Sequence, residues 1–188
     1  MPVDRPDRTA AVDEHWAPDH LVLGRTVLSR AGRLLVERDA QGGVLTTSPL
    51  AGMAAVEQRY PAWALGPFGR IEPEAALPAQ PGVYALSSQG VVRYVGASGD
   101  LSRTFGHRGL GHVSRRDAQN AGREELCRLN RLITAEAQAG RTVDLYVLPV
   151  GSAGRLSRLV RRRSEEDEAT ALAAELVGAA KGSWHLPT

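Results

Sequence analysis

Two tyrosines and a crowd of arginines are the residues of this chain whose types and spacing suggest chemistry. Tyr84 closes the tripeptide Gly82-Val83-Tyr84, and after nine intervening residues Tyr94 opens Tyr94-Val95-Gly96. The chain has only four tyrosines, so two of them on a glycine-flanked, spaced pair is a pattern rather than background. The arginines follow directly. Residues 101–163 hold 13 Arg against 5 acids, a local charge of +8 in a protein whose formal net charge is +2. Clustered guanidinium groups imply a polyanionic partner. Arg103 and His107 are four residues apart, so on one helix they would share a face.

Other chemistries are disfavoured by spacing. His107, His112 and Cys127 match no standard zinc pattern. Cys127 follows Glu124 and Glu125, and acidic neighbours raise a thiol pKa, which disfavours a nucleophile; a small buried residue is the better reading. The segment Gly96-Ala97-Ser98-Gly99 lacks the Gly-Lys-Ser/Thr ending of a phosphate loop. A single cysteine excludes an internal disulfide. No apolar run approaches the ~18–20 residues of a membrane span. Met1-Pro2-Val3-Asp4-Arg5 lacks the basic and apolar regions of a signal peptide. The expectation is a soluble, cytoplasmic protein with no membrane association.

The elements that must position these residues are legible in outline. Residues 1–20, with Pro2, Pro6 and Pro18, read as a flexible tail. Residues 21–80 read as a β-rich N-terminal extension. It has apolar strands near 21–28 and 33–37 separated by Ser29-Arg30-Ala31-Gly32, a turn at Gln41-Gly42-Gly43, and a short helix within 52–60 stopped by Pro61. Five prolines between Pro61 and Pro81 make a connector, and the main domain boundary is placed there. From 81 to 188 runs the second domain. Val83–Leu86 and Val91–Val95 form a hairpin around Ser87-Ser88-Gln89-Gly90. Asp100 caps a short helix at Leu101. A basic loop spans 108–122. Leu126, Leu129, Ile133 and Ala137 mark a helix over 124–139, ended by Gly140. A strand follows over 143–150, then a turn with Gly151 and Gly154, then a helix over 155–180.

The paired tripeptides in this order resemble the GIY-YIG nuclease signature. The resemblance extends over residues 81–186. It takes in the short helix with Arg103 and His107, the loop with His112-Val113-Ser114, and the helix with Cys127-Arg128-Leu129-Asn130. It continues through the strand with Leu145-Tyr146-Val147 and the last helix to Trp184. It is closest to stand-alone and restriction-type members. The resemblance implies an α+β domain with a small three-stranded sheet flanked by helices. It implies a divalent-metal-dependent endonuclease that hydrolyses DNA phosphodiester bonds with Mg²⁺ or Mn²⁺.

Carried over residue by residue, Tyr84 and Tyr94 would lie beside the attacking water, one of them a proposed general base. Arg103, one position early for the family's arginine, would contact the scissile phosphate together with His107, with Arg108 as the fallback. Arg108, Arg115, Arg116, Arg128 and Arg131 would hold the nucleic-acid backbone. The metal carboxylate is expected on the last helix. Ala173 falls at that position, so Glu175 is the first candidate ligand and Glu168 the alternative. His185 stands where the family has Asn. These departures support an alternative in which the domain is catalytically degenerate and acts as a nucleic-acid or partner-binding module.

Overall fold

The computed structural model describes residues 15–151 and 158–185. Most of the expected 1–20 tail and the turn residue Gly154 lie outside them. The elements in chain order are β1 (His20–Leu23), β2 (Thr26–Val36), β3 (Thr46–Thr47), α1 (Val56–Arg59), β4 (Phe68–Gly69), β5 (Ile71–Pro73), β6 (Gly82–Ser88) and β7 (Val91–Ser98). They continue with α2 (Leu101–Thr104), α3 (Arg115–Ala118), α4 (Glu124–Gln138), β8 (Val143–Pro149) and α5 (Arg158–Ala180).

The expectation of a small three-stranded sheet is overturned. β6, β7 and β8 are half of a curled six-stranded antiparallel sheet in the order β1-β2-β8-β6-β7, with β5 also pairing β2. The strands of the N-terminal extension supply the other half, because β2 pairs with β8 along Ser29↔Val147 through Leu34↔Val143. The residues expected to separate two strands, 29–32, instead form a β-bulge within one. The register shifts between Arg30 and Gly32, and Gly32 takes φ +115°, so β2 bends and continues. The actual turn is at Gly24-Arg25, with Gly24 at φ +60°. The hairpin that carries the tyrosines forms as expected, around a tighter turn at Gln89-Gly90, both residues at positive φ.

Alternation along the strands divides the core into two layers. Tyr84, Leu86, Tyr94, Leu145 and Val147 point to one face and pack under Leu129 and Ile133 of α4. Val83, Ala85, Val95 and Tyr146 point to the other and pack against Ala169, Ala173 and Leu176 of α5. A third cluster, with Leu50, Phe68 and Cys127, lies under the segment before β4. Asp144, 3% exposed, is paired by Arg30 at 2.9 Å and by His15 at 2.8 Å, which ties the start of the described chain to the sheet. No helix among the described residues is long and apolar enough to cross a membrane.

One buried polar residue clamps α4 to the loops that frame the site. Asn130 is fully buried. Its amide donates to Gly69 O at 3.0 Å and Leu110 O at 2.8 Å, and its Oδ1 accepts from Gly69 N–H at 3.0 Å. Asn130→Ala strands two buried carbonyls and is expected to destabilise the protein by about 3 kcal/mol, read from urea unfolding midpoints. Asn130→Asp is expected to be at least as damaging, since a carboxylate cannot donate to those carbonyls. A loss under about 1 kcal/mol for both would show that the clamp is not needed.

Candidate active site

The hairpin register decides where the tyrosines sit. Tyr84 pairs with Gly96 across β6 and β7, and its ring lies 5.8 Å from that of Tyr94. A Cβ on Gly96 would come within 2.8 Å of the Tyr84 hydroxyl and 2.7 Å of Tyr94 Cε1. Glycine is required here because the rings fold over its backbone. Gly82 has a separate reason. A Cβ there would meet Leu148 O at 2.7 Å and Leu101 Cδ1 at 2.8 Å, so it admits both β8 and α2.

α2 is pinned one short link beyond β7. Asp100 accepts from Arg103 N–H at 3.1 Å as the N-cap, Leu101 is buried, and Phe105 packs edge-on against Tyr84 with centroids 5.0 Å apart. This docking directs Arg103 into an open cleft of about 400 Å³ beside Tyr84. Arg108 lines the same cleft from the following loop, where Gly109 packs against Thr104 O too closely for any Cβ. Arg123 lines it from the turn before α4, steadied by Asp117 at 3.4 Å. Arg103 and Arg108 are exposed and have no ion-pair partner among the described residues.

The carboxylate at this cleft is Glu125, in the first turn of α4. The Tyr94 hydroxyl donates a hydrogen bond to Glu125 Oε1. On the far side of Tyr94, His185 stacks at 4.5 Å, and its Nε2 accepts from Val95 N–H at 3.1 Å. That bond requires Nε2 to be unprotonated, and burial lowers the pKa of His185 in the same direction. Burial also pushes the Tyr84 hydroxyl well above the ordinary tyrosine range, with the Glu125 charge adding to it. Tyr94 is pushed up further by burial, by Tyr84 and by Glu125. Both hydroxyls therefore hold their protons at neutral pH, and that of Tyr94 is donated to Glu125.

The other residues expected in the site are dispersed. α2 ends at Thr104, so Arg103 and His107 do not continue on one helical face; His107 is exposed and stacks on His112 with centroids 4.9 Å apart. Glu168 and Glu175 are exposed on α5, which packs on the sheet face opposite the tyrosines. Ala173 is buried in that interface. Arg115 Nε donates to Pro49 O at 3.1 Å, and Arg131 donates to Ala62 O, so both bind the preceding segment rather than lining the cleft. Arg116 is exposed on α3. Arg128 lies one turn after Glu125, with Nε buried and without a partner among the described residues. Cys127 is fully buried, and burial pushes its thiol up to about 11.

Two cleft residues, Glu125 and Arg123, escape the sequence reading. Acids in the first turn of a helix are ordinary, because they complement its dipole, and nothing in the spacing separates Glu125 from Glu124. Among the described residues no group of three or more His, Cys, Asp or Glu is arranged to hold a metal. Mg²⁺ is commonly held by one or two carboxylates together with substrate phosphate oxygens and water. Glu125, with one oxygen engaged by Tyr94 and the other without a partner among the described residues, fits that donor set. Comparison with family models, with curated proteins and with solved structures finds no match.

The raised tyrosines set the alkaline limit of stability. Above about pH 10 unfolded tyrosines ionise while Tyr84 and Tyr94 in the fold do not, so the unfolded state binds fewer protons and stability falls as pH rises. The expected slope is about 1.4 kcal/mol per pH unit for each residue. Urea midpoints between pH 9 and 11.5 (on the order of the tyrosine range) measure it. The Tyr84→Phe, Tyr94→Phe double variant is expected to flatten the slope. An equal slope in the variant would contradict the buried, protonated pair. Gly96→Ala is expected to cost about 2 kcal/mol through overpacking and to expose both rings to ionisation, visible as a 295 nm absorbance change at lower pH (on the order of one unit).

Proposed function

We propose that this chain is an endonuclease of the GIY-YIG type, hydrolysing DNA phosphodiester bonds with Mg²⁺ or Mn²⁺, and that its carboxylate comes from α4 rather than from the last helix. The observation that carries the reading is the Tyr94–Glu125 hydrogen bond at a cleft lined by Tyr84, Arg103, Arg108 and Arg123. A phosphodiester needs positive charge for its non-bridging oxygens, a donor to orient them, and a carboxylate or metal for the water. The lining of one cleft offers each of these.

In this mechanism Arg103, Arg108 and Arg123 bind the scissile phosphate and neutralise the charge that grows as water adds to phosphorus. Guanidinium groups suit this task because their planar forks match phosphate oxygens. Tyr84, held protonated, donates to the phosphate or to the attacking water. Tyr94 orients Glu125 and is in turn fixed by His185 stacked on its ring. Glu125 would hold the divalent ion, which when bound adds charge neutralisation and acidifies water. The new bond joins the water oxygen to phosphorus as the bond to the leaving ester oxygen breaks, and the proton lost by the water passes through solvent to the leaving oxygen. Neither tyrosine acts as the base, since burial opposes its ionisation.

The second reading is a domain that binds nucleic acid or another partner without cutting. It is favoured by Ala173, buried against the sheet where the last helix would carry a carboxylate.

Nicking of supercoiled plasmid in Mg²⁺ or Mn²⁺, with an EDTA control, tests the two. Metal-dependent nicking is expected, reduced about 10²–10³-fold by Glu125→Gln and by Arg103→Ala. Glu168→Gln and Glu175→Gln are expected to leave it unchanged. DNA binding is expected to weaken steeply with salt, and less steeply in an Arg108→Ala, Arg123→Ala variant. Salt-dependent binding without nicking would favour the binding module. Nicking that Glu125→Gln does not affect would remove the assigned carboxylate.

A further inference from the structure

The two edges of the sheet are finished differently. On β7 the outward backbone groups are covered by the turn after α5: Trp184 N–H donates to Arg93 O at 2.9 Å, and Val95 N–H donates to His185 at 3.1 Å. β1 has no such cover among the described residues. Its hydrogen bonds to β2 alternate. Asp19 O accepts from Arg30 N–H at 2.8 Å, and the register continues with Leu21 opposite Leu28 and Leu23 opposite Thr26. The intervening residues, His20 and Val22, turn their N–H and C=O groups away from β2. No Pro, Lys or bulge blunts this strand, although protected edges commonly carry one. Val22 and Val27 face each other across the hairpin and are 63% and 46% exposed.

We propose that β1 is the surface on which two copies of this chain pair, antiparallel about a twofold axis at Leu21, joining two six-stranded sheets into one. Pairing His20 with Val22 of the second copy, and Val22 with its His20, uses all the outward backbone groups of the strand. The occupant is a second copy because the strand is complementary to itself in charge. Asp19 precedes it and Arg25 follows it. Both are exposed, and neither has an ion-pair partner among the described residues. In the antiparallel pairing Asp19 lies opposite Leu23 of the second copy, two residues from its Arg25 and within reach of that long side chain. Symmetry makes the ion pair twice. The same pairing sets the exposed Val22 of each copy across from His20 of the other on one face, which covers part of its side chain. A strand from an unrelated protein would need no such symmetry. The inference is independent of the nuclease reading.

Sedimentation equilibrium of the full chain at micromolar concentrations tests it. The expected species has twice the 20.1 kDa chain mass. Val22→Lys, at an exposed edge position, is expected to give a folded monomer, with circular dichroism confirming the fold. Asp19→Arg is expected to weaken dimerisation roughly tenfold by replacing two attractions with two repulsions. Arg25→Asp added to Asp19→Arg is expected to restore it. A wild-type chain that sediments as a monomer throughout would overturn the proposal. So would a dimer unaffected by Val22→Lys and by both charge variants, since it would use another surface.

Discussion

A β-strand has two faces, and the placement of Tyr84 and Tyr94 on the same one governs the rest of this structure. The register that sets Tyr84 across from Gly96 makes both rings fold over one glycine. From that point the layers follow. α4 covers the tyrosine face and α5 covers the other. A carboxylate that is to meet Tyr94 therefore has to come from α4, and Glu125 in its first turn does so. Glu168 and Glu175 of α5 are separated from the tyrosines by the sheet itself.

Around this pair the cleft is assembled from three short segments, each held by backbone geometry more than by side-chain charge. α2 is capped by Asp100 and buries Leu101 against Gly82, which directs Arg103 inward. The loop after α2 folds back through Leu110 N–H on Thr104 O at 2.7 Å and presents Arg108. α3 is closed by the Ser114–Asp117 capping box, and Asp117 steadies Arg123. Asn130 then clamps α4 to the loop at Leu110 and to β4. The three guanidiniums converge because the elements that carry them are short and tightly tied.

The electrostatics of the cleft are set by its arginines. Three arginines line the cleft, and the carboxylate there is already engaged by a tyrosine hydroxyl. Burial keeps both tyrosines protonated and opposes their acting as bases. His185, stacked on Tyr94 and accepting from Val95 N–H, does two things at once: it fixes the tyrosine ring and seals the β7 edge. The opposite edge at β1 has no equivalent seal among the described residues.

Local pattern in the sequence was enough for the tyrosine hairpin, the Asp100 cap, the long α4 and the arginine-rich stretch. Each depends on residues within a turn or two of one another, where period, capping and turn chemistry act directly. It was also enough to bring Tyr84 and Arg103 into one neighbourhood, since only a short hairpin and a two-residue link separate them. Non-local pairing decided the rest. The edge of β8 meets β2 more than a hundred residues away, and nothing in either strand names its partner, so a six-stranded sheet read as three strands. Gly32 looked like a break between two strands because a bulge and a strand end make the same demand on a backbone. His107 left Arg103 because α2 stops after one turn, and helix length is set by the packing of Phe105 and the following loop. Glu125 was hidden for the most basic reason: which of two adjacent acids touches a tyrosine depends on how a helix is rotated against a sheet, and tertiary packing alone determines that rotation.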